Sequence, residues 1–309
     1  MKMDRIIVAI PTFDRPTILK TVLDKIVNFE NIDKIIVAVD ASSMEVMRLY
    51  EKVLSKYPGK VVFSLNLGHR GSTKARNAAL DMSAKNVGNA KYVLLLDDDF
   101  LVPDSIIIQK LVEDLKVLPN VGAVGGKVIN LRKRYVDPEF SFDVPSQLTE
   151  HLTRLTGFLF GGKWSNLFYS RFTSSFLLMR ASLLGKIMFD ENYGGTGYRE
   201  ESDFQTQILK LGFKIISDPK AFAYHLAPET GGVRSHSDMR IRMYWKSRNH
   251  TYYIVKWNSN LLVRLWYLFC GALILSVYRP QYFKAILKGL QHGYKVAKAF
   301  EKRQSKVKL

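Results

Sequence analysis

Two spacings of apolar residues alternate over the first 130 residues of the chain. Short runs rich in Ile and Val fall at Ile6–Ile10, Ile35–Val39, Val61–Leu65 and Tyr92–Leu96. Each has the continuous apolar character of a strand buried on both faces, as in a parallel sheet. Between the runs the apolar residues follow helical spacing. One segment starts after Pro16 (Ile18, Leu19, Val22, Leu23, Ile26), a second runs from Ser43 to Tyr57, and a third from Ser72 to about Val87. Ser43 and Ser72 suit N-caps, and Pro16 and Pro103 suit first helical turns. The repeated strand–helix order predicts an α/β fold with right-handed crossovers and a doubly wound sheet. Ligands bind such sheets at the carboxyl ends of strands. That rule singles out Pro11-Thr12-Phe13, Asp40, Asn66 and Asp97-Asp98-Asp99.

Regularity falls away from Leu131 to Met188, which is rich in aromatics and glycine. The loop Asn192-Tyr193-Gly194-Gly195-Thr196-Gly197 leads into an acidic stretch with helical spacing, Glu200 to Leu211, which Gly212 stops as a C′ residue would. A strand candidate, Lys214–Ser217, and the segment Ala221–His225 follow. After about Ser237 the composition turns basic and aromatic. The expected organisation is therefore a domain over residues 1–237 and an extension over 238–309.

Charge sharpens this division. The chain of 309 residues carries 46 Lys and Arg against 28 Asp and Glu, a net +18. Residues 240–309 hold fifteen Lys and Arg and one acid, Glu301, which leaves only +4 for the preceding 239. The basic character belongs to the tail, so specific nucleic-acid binding by the main domain is not expected. A single cysteine, Cys270, excludes an internal disulfide. The five-residue apolar run after Arg5 is too short for a signal-peptide core, and a cytosolic location is the expectation.

The acidic triplet Asp97-Asp98-Asp99 follows four apolar residues. Three adjacent carboxylates repel one another and tolerate proximity best beside a hard divalent cation. The alternative is an acidic turn before a helix, since Pro103 and Asp104 lie just beyond. Arg199-Glu200-Glu201-Ser202-Asp203 places three more carboxylates within four residues. They suit either a general base or a helix N-terminus whose dipole they complement. His225 ends an apolar segment, as a packed residue or as a ligand. The Gly125-Gly126 step does not match a phosphate-binding loop.

Five ordered motifs carry a resemblance: IVAIPTFDRP, VDASS, NLGHRGSTKARNAAL, YVLLLDDDFLVPD and GYREESDFQTQILKLGFKIISDPKAFAYHL. In order and spacing the chain resembles family 2 glycosyltransferases of the GT-A fold over roughly residues 5 to 230. These are inverting, nucleotide-sugar-dependent enzymes with a mixed, mainly parallel sheet. The resemblance implies that Pro11, Thr12, Phe13 and Arg15 form the loop that holds the donor's base. It implies that Asp40 bonds the base or ribose and that Arg76 lies near the nucleotide. Asp97 and Asp99 take the outer positions of a D-x-D motif. Asp97 then faces the ribose, Asp99 binds Mn²⁺ or Mg²⁺, and Asp98 fills the variable middle place. His225 corresponds to a histidine that completes the metal shell in several relatives. The family's base, usually Asp, is matched by Glu201, with Glu200 and Asp203 as alternatives.

The tail adds a location. Leu265 to Tyr278 is an uncharged stretch that as a helix spans about 21 Å, short of a hydrocarbon core of about 30 Å. Beyond it, Phe283, Ile286, Leu287, Leu290, Tyr294 and Ala297 share one helical face, with Lys284, Lys288, Lys295, Lys298 and Lys302 on another. An apolar helix beside a basic amphipathic one predicts attachment to a membrane surface; the alternative is a tail helix packed on the domain with a solvated basic face. The expected protein is a membrane-associated glycosyltransferase on the cytosolic face, acting on a saccharide or lipid-linked acceptor. The Q-x-x-R-W signature of processive synthases is missing, which favours one sugar per acceptor. Two other classes compete with this reading. A sugar-phosphate nucleotidyltransferase would need a glycine-rich basic loop where Pro11 to Arg15 stands, and a non-enzymatic basic membrane-binding protein would not need Asp99.

Overall fold

The computed structural model describes residues 4–131, 141–226 and 238–307. The chain divides into two compact units. The first comprises Met1–Val136, Trp164–Phe189 and Phe204–Gly232; the second comprises Asp137–Lys163, Asp190–Asp203 and Val233–Leu309. The boundary expected after Ser237 falls at a segment, 227–237, outside the described residues.

The first unit is built on one mixed sheet. Its first half alternates β1 (Ile6–Phe13), α1 (Pro16–Ile26), β2 (Ile32–Ala41), α2 (Met44–Leu54), β3 (Val61–Leu67), α3 (Ser72–Lys85) and β4 (Tyr92–Leu95). Then follow β5 (Phe100–Leu101), α4 (Ser105–Val117) and β6 (Val121–Asn130). Strands β3, β2, β1 and β4 lie side by side and parallel, so the apolar runs of β1, β2 and β4 are buried on both faces as their composition requires. Pro16 opens α1, and the Ser43 side chain caps α2 by accepting from Val46 N. Two caps differ from expectation. Gly71 at φ 98° precedes α3, with Ser72 inside the helix, and Asp104 caps α4, with Pro103 one residue outside it.

In the second unit, β7 (Ser141–Pro145) pairs with β8 (Gly161–Lys163), with α5 (Ser146–Thr156) between them. The chain then returns to the first unit's sheet with β9 (Phe168–Tyr169) and β10 (Leu177–Arg180). β10 lies antiparallel between β4 and β6. Helix α6 (Glu200–Lys210) ends before Gly212 at φ 87°, the left-handed stop expected there. The two segments expected as Lys214–Ser217 and Ala221–His225 form one strand, β11 (Lys214–His225), with a register shift between Asp218 and Phe222. β11 pairs with β6 and edges against β5 and β9. The Gly125-Gly126 step lies within β6. A Cβ at Gly125 would fall 1.9 Å from Thr173 Oγ1, and one at Gly126 would fall 2.5 Å from the Phe176 ring. Close packing explains those glycines.

The rest of the second unit is helical: α7 (Met239–Trp257), α8 (Leu261–Tyr278) and α9 (Phe283–Val307). Beyond its first turns helix α7 is buried even at its polar residues: Lys246, Ser247, Arg248, Asn249, His250 and Thr251 are all buried. The apolar face predicted for α9 is divided. Ile286, Leu290 and Ala297 pack inward, whereas Phe283, Leu287 and Tyr294 stay exposed. Glycine sets the approach of α9 to α7, because a Cβ at Gly293 would sit 2.2 Å from the Arg248 carbonyl oxygen. Ala for Gly inside a helix ordinarily gains about 1 kcal/mol. At Gly293 the clash meets backbone, and overpacking costs about 1–3 kcal/mol. Gly293→Ala is therefore expected to lower the denaturant midpoint; an unchanged or raised midpoint would show that the two helices can separate at no cost.

Candidate active site

The carboxyl ends of β1 and β4 bring the N-terminal loop against the acidic triplet. Ile6 pairs with Tyr92 and Ala9 with Leu95, so Thr12 and Arg15 reach the residues just past β4. Asp98 points inward. It accepts from Thr12 Oγ1 at 2.6 Å and from Arg15 Nη1 at 3.1 Å. Burial, reinforced by the charge of Asp99 and opposed by Arg15, raises its pKa to about 7. Arg15 Nη1 also lies 2.8 Å from Asp99 Oδ2, so one guanidinium bridges two of the three acids. Tyr50 of α2 steadies this loop, its hydroxyl accepting from Arg15 N at 2.7 Å and lying 2.8 Å from Thr12 Oγ1.

Asp97 is the most open of the three, with a quarter of its side chain exposed. It accepts from Arg76 Nη2 at 2.9 Å and from Ser175 Oγ at 3.1 Å. A pocket opens beside it, lined in part by Pro11, Arg76, Leu96 and Phe189. The Arg76 guanidinium lies over the Phe189 ring, 5.2 Å from its centroid.

Asp40 sits at the end of β2, in register with Phe13 on one side and Asn66 on the other. Arg70 holds its carboxylate through Nε at 2.6 Å and through the backbone N–H at 2.7 Å. Phe13 stacks on His69, with ring centroids 4.2 Å apart. Arg70 and His69 belong to the loop between Gly68 and Gly71, both at positive φ. The paired glycines were the sequence's only hint of that loop, and Tyr50 and Ser175 gave none.

His225, at the end of β11, stands beside Asn130 in register. Its Nδ1 is 2.5 Å from Asn130 Oδ1 and its Nε2 is 3.2 Å from Asp99 Oδ2. If Nδ1 donates to the amide oxygen, Nε2 turns a lone pair toward a carboxylate oxygen. Two acceptors facing one another call for a cation or a proton between them. Among the described residues no three His, Cys, Asp or Glu side chains gather as a complete metal shell. A divalent ion held by one carboxylate and one imidazole takes its other ligands from substrate phosphate and water. The donor set at Asp99 and His225 fits such an ion.

The remaining predicted acids belong to the second unit. Asp203 is fully buried and its oxygens are taken by Lys256 Nζ at 2.8 Å, Trp257 Nε1 at 2.6 Å and Tyr193 OH at 3.1 Å. Burial raises its pKa against the pull of Lys256. Lys256 also pairs with Asp190 at 2.6 Å. Glu200 is buried, and Glu201 is partly exposed.

Residues 4–243 match the family model "Glycosyltransferase like family 2". The chain belongs to that family. This family-2 glycosyltransferase thus stands apart from the nucleotidyltransferases and from non-enzymatic basic proteins. Among solved structures it resembles a mannosyltransferase, PcManGT from Pyrobaculum calidifontis in complex with GDP-Man and Mn²⁺, at 16% identity and a TM-score of 0.55. That match covers 99% of this chain and 81% of the other. It also resembles S. aureus TarS 1-349 in complex with UDP-GlcNAc, at 16% identity and a TM-score of 0.55, covering 91% and 73% of the two chains. At such identity the likeness establishes the GT-A fold. No curated protein matches the sequence.

The state of Asp98 has a measurable consequence. Its pKa of about 7 in the fold lies above the ordinary 3.8. The folded chain therefore holds a proton that the unfolded chain releases, and stability falls as pH rises through that interval. Without divalent cations, the melting temperature of wild type should drop relative to Asp98→Asn as pH is raised from about 4 to about 7. A difference between the two that stays constant over this range would refute a buried, protonated Asp98.

Proposed function

We propose that the protein transfers one sugar from a nucleotide-diphosphate donor to an acceptor hydroxyl, with inversion and with the aid of Mn²⁺ or Mg²⁺. The observation that carries this reading is the acidic triplet past β4, flanked by Arg15, Arg76 and His225. The catalytic domain is assigned to residues 1–237. Within it, Pro11, Thr12, Phe13, Arg15 and Asp40 hold the base and ribose, and Asp97 and Arg76 flank the sugar nucleotide. Asp98 tethers the loop after β1. Asp99 and His225 hold the metal, which when bound neutralises the departing diphosphate as a Lewis acid.

Inversion needs a base for the acceptor hydroxyl. Glu201 is assigned that role, because Asp203 is consumed by Lys256 and Trp257 and Glu200 is buried. Glu201 takes the hydroxyl proton as the new oxygen–C1 bond forms, and the C1–oxygen bond to the diphosphate breaks with its electrons on the leaving group.

The extension over 238–309 is read as a membrane-surface anchor on the cytosolic side, which brings a lipid-linked glycan within reach as acceptor. Among the described residues α8 is long and apolar enough to cross a membrane, by length and composition only. Two features favour lying on the surface. Arg264 in its first turn is tied to Glu301 at 3.0 Å and to the Val255 carbonyl at 3.1 Å. Leu262, Phe269 and Val277 are exposed, while Cys270, Gly271 and Leu275 face inward.

A panel of nucleotide sugars that includes GDP-mannose and UDP-N-acetylglucosamine, assayed with and without Mn²⁺, tests the chemistry. Turnover should require the ion and the product should be the inverted anomer. Asp99→Ala should weaken Mn²⁺ binding. Glu201→Gln should lose about 10²–10⁴ in rate while nucleotide binding persists. No turnover with any donor, and no metal-dependent nucleotide binding, would remove the proposal. Co-sedimentation should show binding to vesicles containing phosphatidylglycerol, weakened by salt; equal partition to neutral vesicles would refute an electrostatic anchor.

A further inference from the structure

Arg199 immediately precedes α6, and its carbonyl accepts from Asp203 N at 2.9 Å. It therefore caps the turn that carries Glu200 and Glu201. Two features make arginine costly at this place. Its φ of 75° lies in the left-handed region, where the Cβ of a non-glycine residue crowds the following carbonyl oxygen. Its guanidinium is buried, with 2% of the residue exposed, at a helix N-terminus whose dipole disfavours a cation. If only a left-handed turn were needed, glycine would serve, as it does at Gly195 and Gly197 nearby. Strain and buried charge retained together beside a candidate base are the mark of a functional constraint.

The guanidinium is held from several directions. Nη2 donates to the carbonyl of Gly157, the left-handed residue that ends α5, and lies 3.3 Å from His250 Nδ1. The Tyr253 ring lies 4.8 Å from it. Burial and the neighbouring guanidinium keep the His250 pKa well below its ordinary value, so the neutral ring can accept at Nδ1. His250 in turn abuts Gly271 of α8, where a Cβ would meet Nε2 at 2.4 Å. Helix α7 also fixes the preceding loop. Arg248 donates to Asn192 O and Asn249 to Gly194 O, and the Trp245 ring leaves no room for a Cβ at Gly195.

We propose that Arg199 is a positioning residue for the base Glu201, anchoring the first turn of α6 to α5 and α7 through its guanidinium. This rests on the assignment of Glu201 above. Arg199 touches no reacting atom. It sets the direction of the turn.

Arg199→Lys keeps the charge but not the planar guanidinium whose Nη2 faces Gly157 O and His250 Nδ1, and Arg199→Met removes both. In hydrogen exchange of the full-length protein, the amides of residues 200–203 should exchange at least about tenfold faster in each variant. For the nucleotide sugar turned over in the panel, kcat should fall about tenfold with Lys and about a hundredfold with Met, the scale of a misplaced catalytic group. KM for the donor, and Kd for UDP or GDP, should stay within about twofold. In a Glu201→Ala background supplied with formate, adding Arg199→Lys should leave the formate-supported rate unchanged, because the base is no longer tethered. Unchanged exchange, or a formate-supported rate that falls as far as the carboxylate-supported one, would overturn the proposal. If Arg199→Met fails to fold, Arg199→Lys carries the test alone. Full turnover by Glu201→Gln would defeat the base assignment itself, a result that does not involve Arg199.

Discussion

Three carboxylates on consecutive residues repel one another, and the first unit is arranged to hold that charge. The three acids are met from several elements. Asp97 is met by Arg76 of α3, Asp98 by Thr12 near the end of β1 and Arg15 just beyond it, and Asp99 by Arg15 and by His225 at the end of β11. These partners converge only because β1 lies beside β4 and because β5, which follows the triplet, pairs with the end of β11. With Arg15 as the shared counter-ion for its two neighbours, Asp97 can stay open beside the pocket.

The second unit meets the converse problem with cations. Lys256, Arg248, Arg199 and Lys246 are largely buried in it, next to Asp190, Asp203 and several aromatic rings. Removing one partner of such an arrangement strands a charge in a poorly solvated place. The helices that carry it are thereby committed to a single arrangement. That commitment suits a segment bordering the loop before Glu201.

How much of this could be read from the sequence followed how strongly each segment is patterned. The strands β1 to β4 are continuous apolar runs, and the helices between them repeat at 3.6 residues, so order, type and approximate ends were recoverable. The strand-end residues that gather around the acidic triplet were legible too, since acids that directly follow a buried apolar run contribute little to packing. β6 and β10 carry no such pattern. Three glycines interrupt β6, where Ile208, Phe213, Thr173 and Phe176 press on it, and β10 is four residues long within an aromatic stretch. Helix α7 was unreadable as a buried helix, because Ser247, Arg248, Asn249 and His250 find their partners in α9 and the loop at 190–199. Arg70 covers Asp40 through a loop whose course depends on two glycines at positive φ. Partnerships between residues distant in sequence leave no periodic trace.

The place of β10 has a consequence for how the chain is made. It sits between β4 and β6 but is encoded more than eighty residues after β4 and about fifty after β6. While the ribosome is still delivering those residues, the apolar edges of both strands have nothing to pair with. Such edges recruit other chains, and pairings of long sequence separation form slowly. Until Leu177 to Arg180 arrives, the sheet that carries the acidic triplet is also the part most exposed to association with its neighbours.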